Sequence, residues 1–191
     1  MTVALATTYE PAFLDKNLIA DQTYVHLITK FNVFLIGFDA AKGLGRAANE
    51  TTVFMTDCGG FNDQRITATM QFPAPTVAGA EHIGVIGRCV QLDVTQNYYW
   101  IGISAGSARI KRMLNGVFSD LATTAYAVAQ GVNVTITASI VGSNISAKFV
   151  ADSGPADEVL YATDLNFTRG FTGAASVLSG IWVSAIKVEQ L

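Results

Sequence analysis

The chain has 191 residues, half of them hydrophobic and only 14% charged, with a formal net charge of −3. That length suits one large domain and buries roughly 70% of the surface the unfolded chain exposes, so no metal or disulfide staple is required. The charge balance argues against nucleic acid as a partner, because phosphate binding needs clustered Lys and Arg. The densest basic group, Arg109, Lys111 and Arg112, is merely spread along one segment.

Few charges among many Thr, Ser, Ala and Gly indicate a β-rich protein, or one whose surface is largely covered by partners. The two cysteines, Cys58 and Cys89, form no disulfide framework; two buried thiols fit better than one bridge. MTVALATTYEPAF lacks the basic and apolar regions of a signal peptide. Val33–Phe38, the longest apolar run, is far too short to span a membrane. The expected product is soluble, made in a cytoplasm and without a membrane partner.

Residues 1–21 have no clear period and read as an N-terminal arm or an irregular first segment; residues 22–191 read as one β domain. Thr23–Phe38 is rich in β-branched and aromatic residues and fits two strands or one bent strand. DAAKGLGRAANE reads as a Gly-rich loop. Its Gly43-Leu44-Gly45-Arg46-Ala47-Ala48 matches a loose dinucleotide fingerprint, but no room remains for the crossover helix that fingerprint needs. Arg65–Phe72 alternates cleanly, with Ile66, Ala68, Met70 and Phe72 on one face, as a half-buried antiparallel strand does.

His82–Leu92 is the next strand. Tyr98–Ala105, Ala108–Leu114 and Val117–Leu121 follow, joined by a Gly turn and by Asn115-Gly116, whose residue types suit a type I′ hairpin turn. Leu121–Gln130 is the best helix candidate, weakened by its Thr pair. Gly131–Val141 and Asn144–Ala151 alternate well, and Leu160–Phe167, Ala174–Leu178 and Ile181–Val188 complete the series. About a dozen short strands with regular turns indicate an all-β sandwich or barrel.

Several short motifs recur in a fixed order. They are Asp63-Gln64-Arg65-Ile66-Thr67-Ala68, Gly84-Val85-Ile86-Gly87-Arg88, Tyr98-Tyr99 and Met113-Leu114-Asn115-Gly116. A Gly-led alternating pair then begins at Gly131, and Gly170-Phe171-Thr172-Gly173 precedes a final strand. In this, Asp63–Leu191 resembles the concanavalin A-like (laminin G-like) jelly-roll domains, in the version found in bacteriophage virion and bacterial surface proteins. The resemblance implies a two-sheet antiparallel jelly-roll sandwich. It does not imply one function, since a fold hosts many.

The residues offer little catalytic chemistry. A glycosidase needs two carboxylates across the scissile bond, and Glu10, Glu50, Glu81, Glu158 and Glu189 share no strand with a second acid facing the same way. Of the two histidines, His26 lies in an apolar strand and His82 opens one. Gly102-Ile103-Ser104-Ala105-Gly106 spells Gly-x-Ser-x-Gly, but on a strand running into a hairpin rather than at a strand-to-helix elbow. Zinc has no ligand cluster. The loop 152–158, with Asp152, Asp157 and Glu158, is a weak calcium candidate beside its reading as a solvated acidic loop.

Sugar binding uses aromatic faces flanked by polar groups. In Tyr98-Tyr99-Trp100 the alternation puts Tyr99 on one face and its neighbours on the other, and one face must be core. The outward aromatic then binds a glycan, covers a partner surface or packs across strands, and the same choice applies to Trp182. Tyr99, Trp100 and Trp182 are the candidate ligand residues; no cofactor is implied. The leading expectation is a non-catalytic structural or adhesion module of a bacteriophage virion. It would decorate capsid or tail through contacts with other virion proteins and copies of itself, with or without host-glycan binding. The alternative is a lectin-like carbohydrate-binding module outside a virion, and more distantly a glycoside hydrolase.

Overall fold

The computed structural model describes residues 8–9, 25–27, 37–39, 43–46, 52–56, 61–72, 81–91, 96–104, 106–176 and 181–191. Among them are fifteen strands and no helix. In chain order these are β1 Thr8–Tyr9, β2 Val25–Leu27, β3 Gly37–Asp39, β4 Gly43–Arg46, β5 Thr52–Thr56, β6 Gln64–Gln71, β7 Glu81–Gln91 and β8 Asn97–Ser104. Then come β9 Ser107–Leu114, β10 Val117–Ala125, β11 Asn133–Val141, β12 Asn144–Ala151, β13 Glu158–Thr163, β14 Phe171–Ser176 and β15 Ile181–Gln190. They form two antiparallel sheets. The first runs β13-β12-β11-β6-β15-β4-β3, with β1 also on β15, and the second runs β10-β9-β8-β7-β14-β5-β2.

Alternation explains the core. β6, β11 and β12 turn Ile66, Ala68, Met70, Val134, Ile136, Ala138, Ile140, Ile145, Ala147 and Phe149 inward. From the second sheet they meet Ile83, Val85, Tyr99, Ile101, Ile103 and Ile110. Each Val, Ile, Met or Phe among them contributes about 1.5–3 kcal/mol when fully buried. On β6, β11 and β12 these residues also fix strand register, because a one-residue slip would turn them to water.

β8 departs from alternation. Residues 98–104 are buried on both faces. Behind the sheet, Tyr98 and Trp100 join Ile86, Cys89, Met113, Ala175 and Phe118 in a second apolar cluster. Cys89 is there as a buried free thiol, and Cys58 lies outside the described residues. The Trp100 indole lies across Gly84 and Gly102. A Cβ at Gly84 would come within 2.5 Å of Cε2, and one at Gly102 within 2.6 Å of Cζ2. These two glycines are what let an indole lie down on the sheet.

Two local expectations are corrected. Leu121–Gln130 is not a helix: β10 runs on to Ala125, held by Tyr126 N–H donating to Gly106 O at 2.8 Å. Its β-branched Thr123 and Thr124 suit a strand. The expected loop around Gly43 contains β4, whose Gly45 stands opposite both Gly37 and Trp182. This antiparallel pairing excludes a dinucleotide crossover. Thr8 and Tyr9, the described part of the expected arm, pair with Glu189 and Val188.

At one end of the sandwich a buried arginine ties the sheets together. Arg88 sits in a bulge of β7 with φ +47° and is 2% exposed. Its guanidinium donates to the carbonyls of Asn62 at 2.8 Å, Gly142 at 2.6 Å and Phe167 at 2.9 Å, and to Asp63 Oδ1 at 3.1 Å. Gln64 accepts from Arg88 N–H and donates to the Phe61 and Gly170 carbonyls. The Asp-Gln and Gly-x-x-x-Arg motifs of the sequence are thus two halves of one knot.

Candidate functional site

The structure separates the three aromatic candidates. Tyr99 points into the core with no exposed surface. Its hydroxyl donates to Asp164 Oδ1 at 2.6 Å and accepts from Phe167 N–H at 3.2 Å, and its ring meets Phe167 edge-on at 5.0 Å. Arg112 donates to Asp164 Oδ2 at 2.8 Å, and Asn166 donates to the same carboxylate from its backbone and side chain. Burial pushes the Asp164 carboxyl up, but hydrogen bonds from Tyr99 and Asn166 and the charge of Arg112 outweigh it and hold it below its ordinary value. Burial, then the bond to Asp164, pushes Tyr99 up to about 12. Both oxygens of Asp164 are saturated, so this cluster pins the loop between β13 and β14 rather than serving a ligand.

Trp100 is equally buried, on the other side of the same sheet. In this conformation neither Tyr99 nor Trp100 presents a ring face to solvent. Trp182 is half-buried and stands opposite Gln71, which places it on the outward side of the first sheet. The basic group splits: Arg109 and Lys111 approach Asp120 at 3.0 and 3.7 Å, while Arg112 turns to Asp164.

In the weak calcium loop the aspartates turn to different neighbours. Asp152 accepts from Asn133 at 3.0 Å and Asp157 pairs with Lys148 at 2.9 Å. Among the described residues no three His, Cys, Asp or Glu side chains converge to hold a metal ion.

The outer face of the first sheet is open. Five strands, β15, β6, β11, β12 and β13, present a polar grid whose residues stand opposite one another. Thr69 and Thr135 hydroxyls meet at 2.9 Å, Thr67 and Thr137 at 3.4 Å, and Arg65 Nε donates to Ser139 Oγ at 3.2 Å. Such a face is what an antiparallel sheet shows to water.

Its edge is different. On β13 Tyr161 is 74% exposed, beside Val159, and Leu165 just beyond is 73% exposed. Tyr161 stands opposite Ser146, and Thr163 opposite Asn144. Together with Ile145 and Ala162 these residues line a shallow, open depression of about 560 Å³. One exposed aromatic ring, two hydroxyls and an amide thus share one rigid pair of strands.

Tyr161 escaped the sequence reading although its signal is present. In Leu160-Tyr161-Ala162-Thr163 the apolar Leu160 and Ala162 take one side, so Tyr161 must take the other. The eye goes instead to Tyr98-Tyr99-Trp100, where three aromatics in a row mark a strand buried on both sides.

The chain therefore has the concanavalin A-like jelly-roll sandwich fold, as the comparison with solved structures bears out. It superposes on the carbohydrate-binding module CBM66 from Bacillus subtilis with a TM-score of 0.67 at 12% identity, covering 87% of this chain and 97% of that one. It superposes on winged bean acidic lectin complexed with methyl-α-D-galactose with a TM-score of 0.68 at 6% identity, covering 95% and 98%. The exoplasmic/lumenal domain of VIP36, in a Ca2+- and Man3GlcNAc-bound form, gives 0.63 at 9% identity over 89% and 86%. No protein-family model and no curated protein sequence matches the chain.

Proposed function

We propose that the chain is a non-catalytic carbohydrate-binding module whose site is the Tyr161 edge of the first sheet. The observation that carries this reading is the exposed Tyr161 ring flanked by Asn144, Ser146 and Thr163 on a preformed face. A pyranose presents CH groups to such a ring and hydroxyls to such neighbours. The fold likeness to lectins and a carbohydrate-binding module supports the same reading. So does the state of the acids. Asp63, Asp120, Asp152, Asp157, Asp164 and Glu189 are each tied to a cation or an amide, which leaves them poorly placed as an acid–base pair.

Membership of a bacteriophage particle and self-association rest on the sequence alone: the resemblance, the few charges, the missing catalytic set and signal peptide, and the N-terminal arm reading. The fold comparison favours the glycan reading over particle membership.

The test is retention on a broad glycan and polysaccharide panel, for the native chain and for Tyr161→Ala. Loss of one stacked ring corresponds to about 0.5–1.5 kcal/mol, or roughly two- to tenfold in affinity. The melting temperature should not move, because an exposed side chain away from special features changes stability by no more than about 0.5 kcal/mol. No retention anywhere on the panel, or retention untouched by Tyr161→Ala, would sink the proposal.

A further inference from the structure

The row that begins at Tyr161 does not stop there. Tyr161, Ser146, Ser139 and Arg65 stand opposite one another on the four consecutive strands β13, β12, β11 and β6. At about 4.8 Å per strand, the row spans about 14 Å from ring to guanidinium, a length that about three sugar units cover. Every member points outward on one face, and the two serines between bring hydroxyls and no bulk.

Arg65 is the unusual member. The other cations of this grid are committed: Lys148 to Asp157 at 2.9 Å and Lys187 to Glu189 at 3.4 Å. Glu189 stands opposite Arg65 in register, yet its Oε1 goes to Lys187. Arg65 itself is exposed, and among the described residues its one bond is from Nε to the neutral Ser139 hydroxyl. Among the described residues it meets no carboxylate, so its two terminal nitrogens are free to take one. On a chain of net charge −3, Lys148 and Lys187 are matched on this face by Asp157 and Glu189, which leaves Arg65 as its unmatched charge. A planar guanidinium whose Nη1–Nη2 edge is open matches a carboxylate or sulfate group in bidentate fashion.

We infer that the ligand of this face is an acidic oligosaccharide, bearing a carboxylate or sulfate group, that lies across the strands from Tyr161 to Arg65. Tyr161 stacks on a sugar ring at one end. Arg65 receives the anionic group at the other, and Ser146 and Ser139 exchange hydrogen bonds with hydroxyls between them. This rests on the glycan-binding reading above and names its substrate class.

The experiment is calorimetric titration at low ionic strength with matched trisaccharides: neutral, uronate-bearing and sulfate-bearing, on glucose, galactose and mannose backbones. The variants are Arg65→Gln, Arg65→Lys and Tyr161→Ala. On the backbone that binds, at least one acidic form should bind about fivefold more tightly than the neutral one, the size expected for one exposed charge pair. The uronate and sulfate arms tell the two anions apart. Arg65→Gln should bring the ratio to one, by weakening the acidic form more than the neutral one. Arg65→Lys should keep part of it, and Tyr161→Ala should weaken all forms alike. Neutral binding with no acidic preference, or a preference that survives Arg65→Gln, overturns this inference and leaves the glycan reading standing. Binding to none of the probes overturns both.

Discussion

Removing the Arg88 guanidinium should be among the most damaging single changes in the domain. Arg88→Met keeps most of the aliphatic stem but strips the donors from the Asn62, Gly142 and Phe167 carbonyls and from Asp63. A buried acceptor left without a partner costs about 1–3 kcal/mol; the Phe167 carbonyl is buried and those of Asn62 and Gly142 partly so, so the lower end for the three gives about 3 kcal/mol. Asp63 adds less than about 1 kcal/mol, because its side chain is 39% exposed and it keeps a 2.8 Å bond from Gly142 N–H. The sum, about 3–4 kcal/mol, is close to the usual effect of breaking a buried pair by removing one member. For a chain of this size that lowers the melting temperature by about 6–16 °C. Urea unfolding followed by circular dichroism measures the difference directly.

A second substitution separates side chain from backbone. Arg88 holds φ at +47°, a conformation that costs a residue with a Cβ about 1–2 kcal/mol and glycine almost nothing. Arg88→Gly should therefore be less damaging than Arg88→Ala by about 1 kcal/mol, the reverse of the usual order in a strand. A variant Arg88→Met within about 1 kcal/mol of the native chain, or Gly worse than Ala, would refute this account of the knot.

The other predictions follow from single contacts. Tyr99 has its pKa raised from 10.0 to about 12, so its contribution is fully present below pH 10 and is lost as pH rises toward 12. Tyr99→Phe should flatten that alkaline limb in a stability–pH profile. Asp164 is shifted down, so its contribution holds above the ordinary carboxylate range and fades as pH falls through its lowered value. Asp164→Asn should remove that acid dependence and destabilise the chain at neutral pH. Gly102→Ala would drive its methyl group into the Ile83 carbonyl and the Trp100 ring. It should cost about 1–3 kcal/mol and shift Trp100 emission. Gly116→Ala, at φ +80° with nothing within 4 Å, should cost about 1 kcal/mol from the turn conformation alone, as thermal unfolding would show.

Most of the fold is legible because one sheet obeys a simple rule. β6, β11 and β12 each have one wet face, so period two appears in the letters and gives both strand limits and core residues. Asn115-Gly116 is legible for a local reason: φ values of +52° and +80° fit those residue types. The site is less legible, because the second sheet breaks the rule. Where both faces are buried, alternation carries no sign, and nothing in Tyr98-Tyr99-Trp100 tells a core ring from a ligand ring. The acid that saturates Tyr99, Asp164, is 65 positions away, a separation no short motif spans. Arg88 hides for the same reason, since its partners sit at positions 62, 142 and 167.

The two outer faces differ in kind, and this difference is why the proposed ligand is placed on the first sheet. The second sheet carries Trp100 pressed onto two glycines, with Tyr98, Met113 and Ile86 around it, and none of these is open to solvent. Presenting that ring to a sugar would mean exposing a packed apolar cluster, at about 25 cal/mol for each Å² uncovered. The first sheet already shows its polar grid, and binding there asks only for water to leave Tyr161 and the row beside it. Rigid strands hold Tyr161, Ser146, Ser139 and Arg65 in line before any ligand arrives, which lowers the ordering cost of association. A Trp100 variant should therefore act on stability and leave glycan affinity per folded molecule unchanged. A Tyr161 or Arg65 variant should do the reverse. Measuring both quantities on the same three variants decides between the faces, and a Trp100→Phe protein that folds normally yet loses glycan binding would move the site to the second sheet.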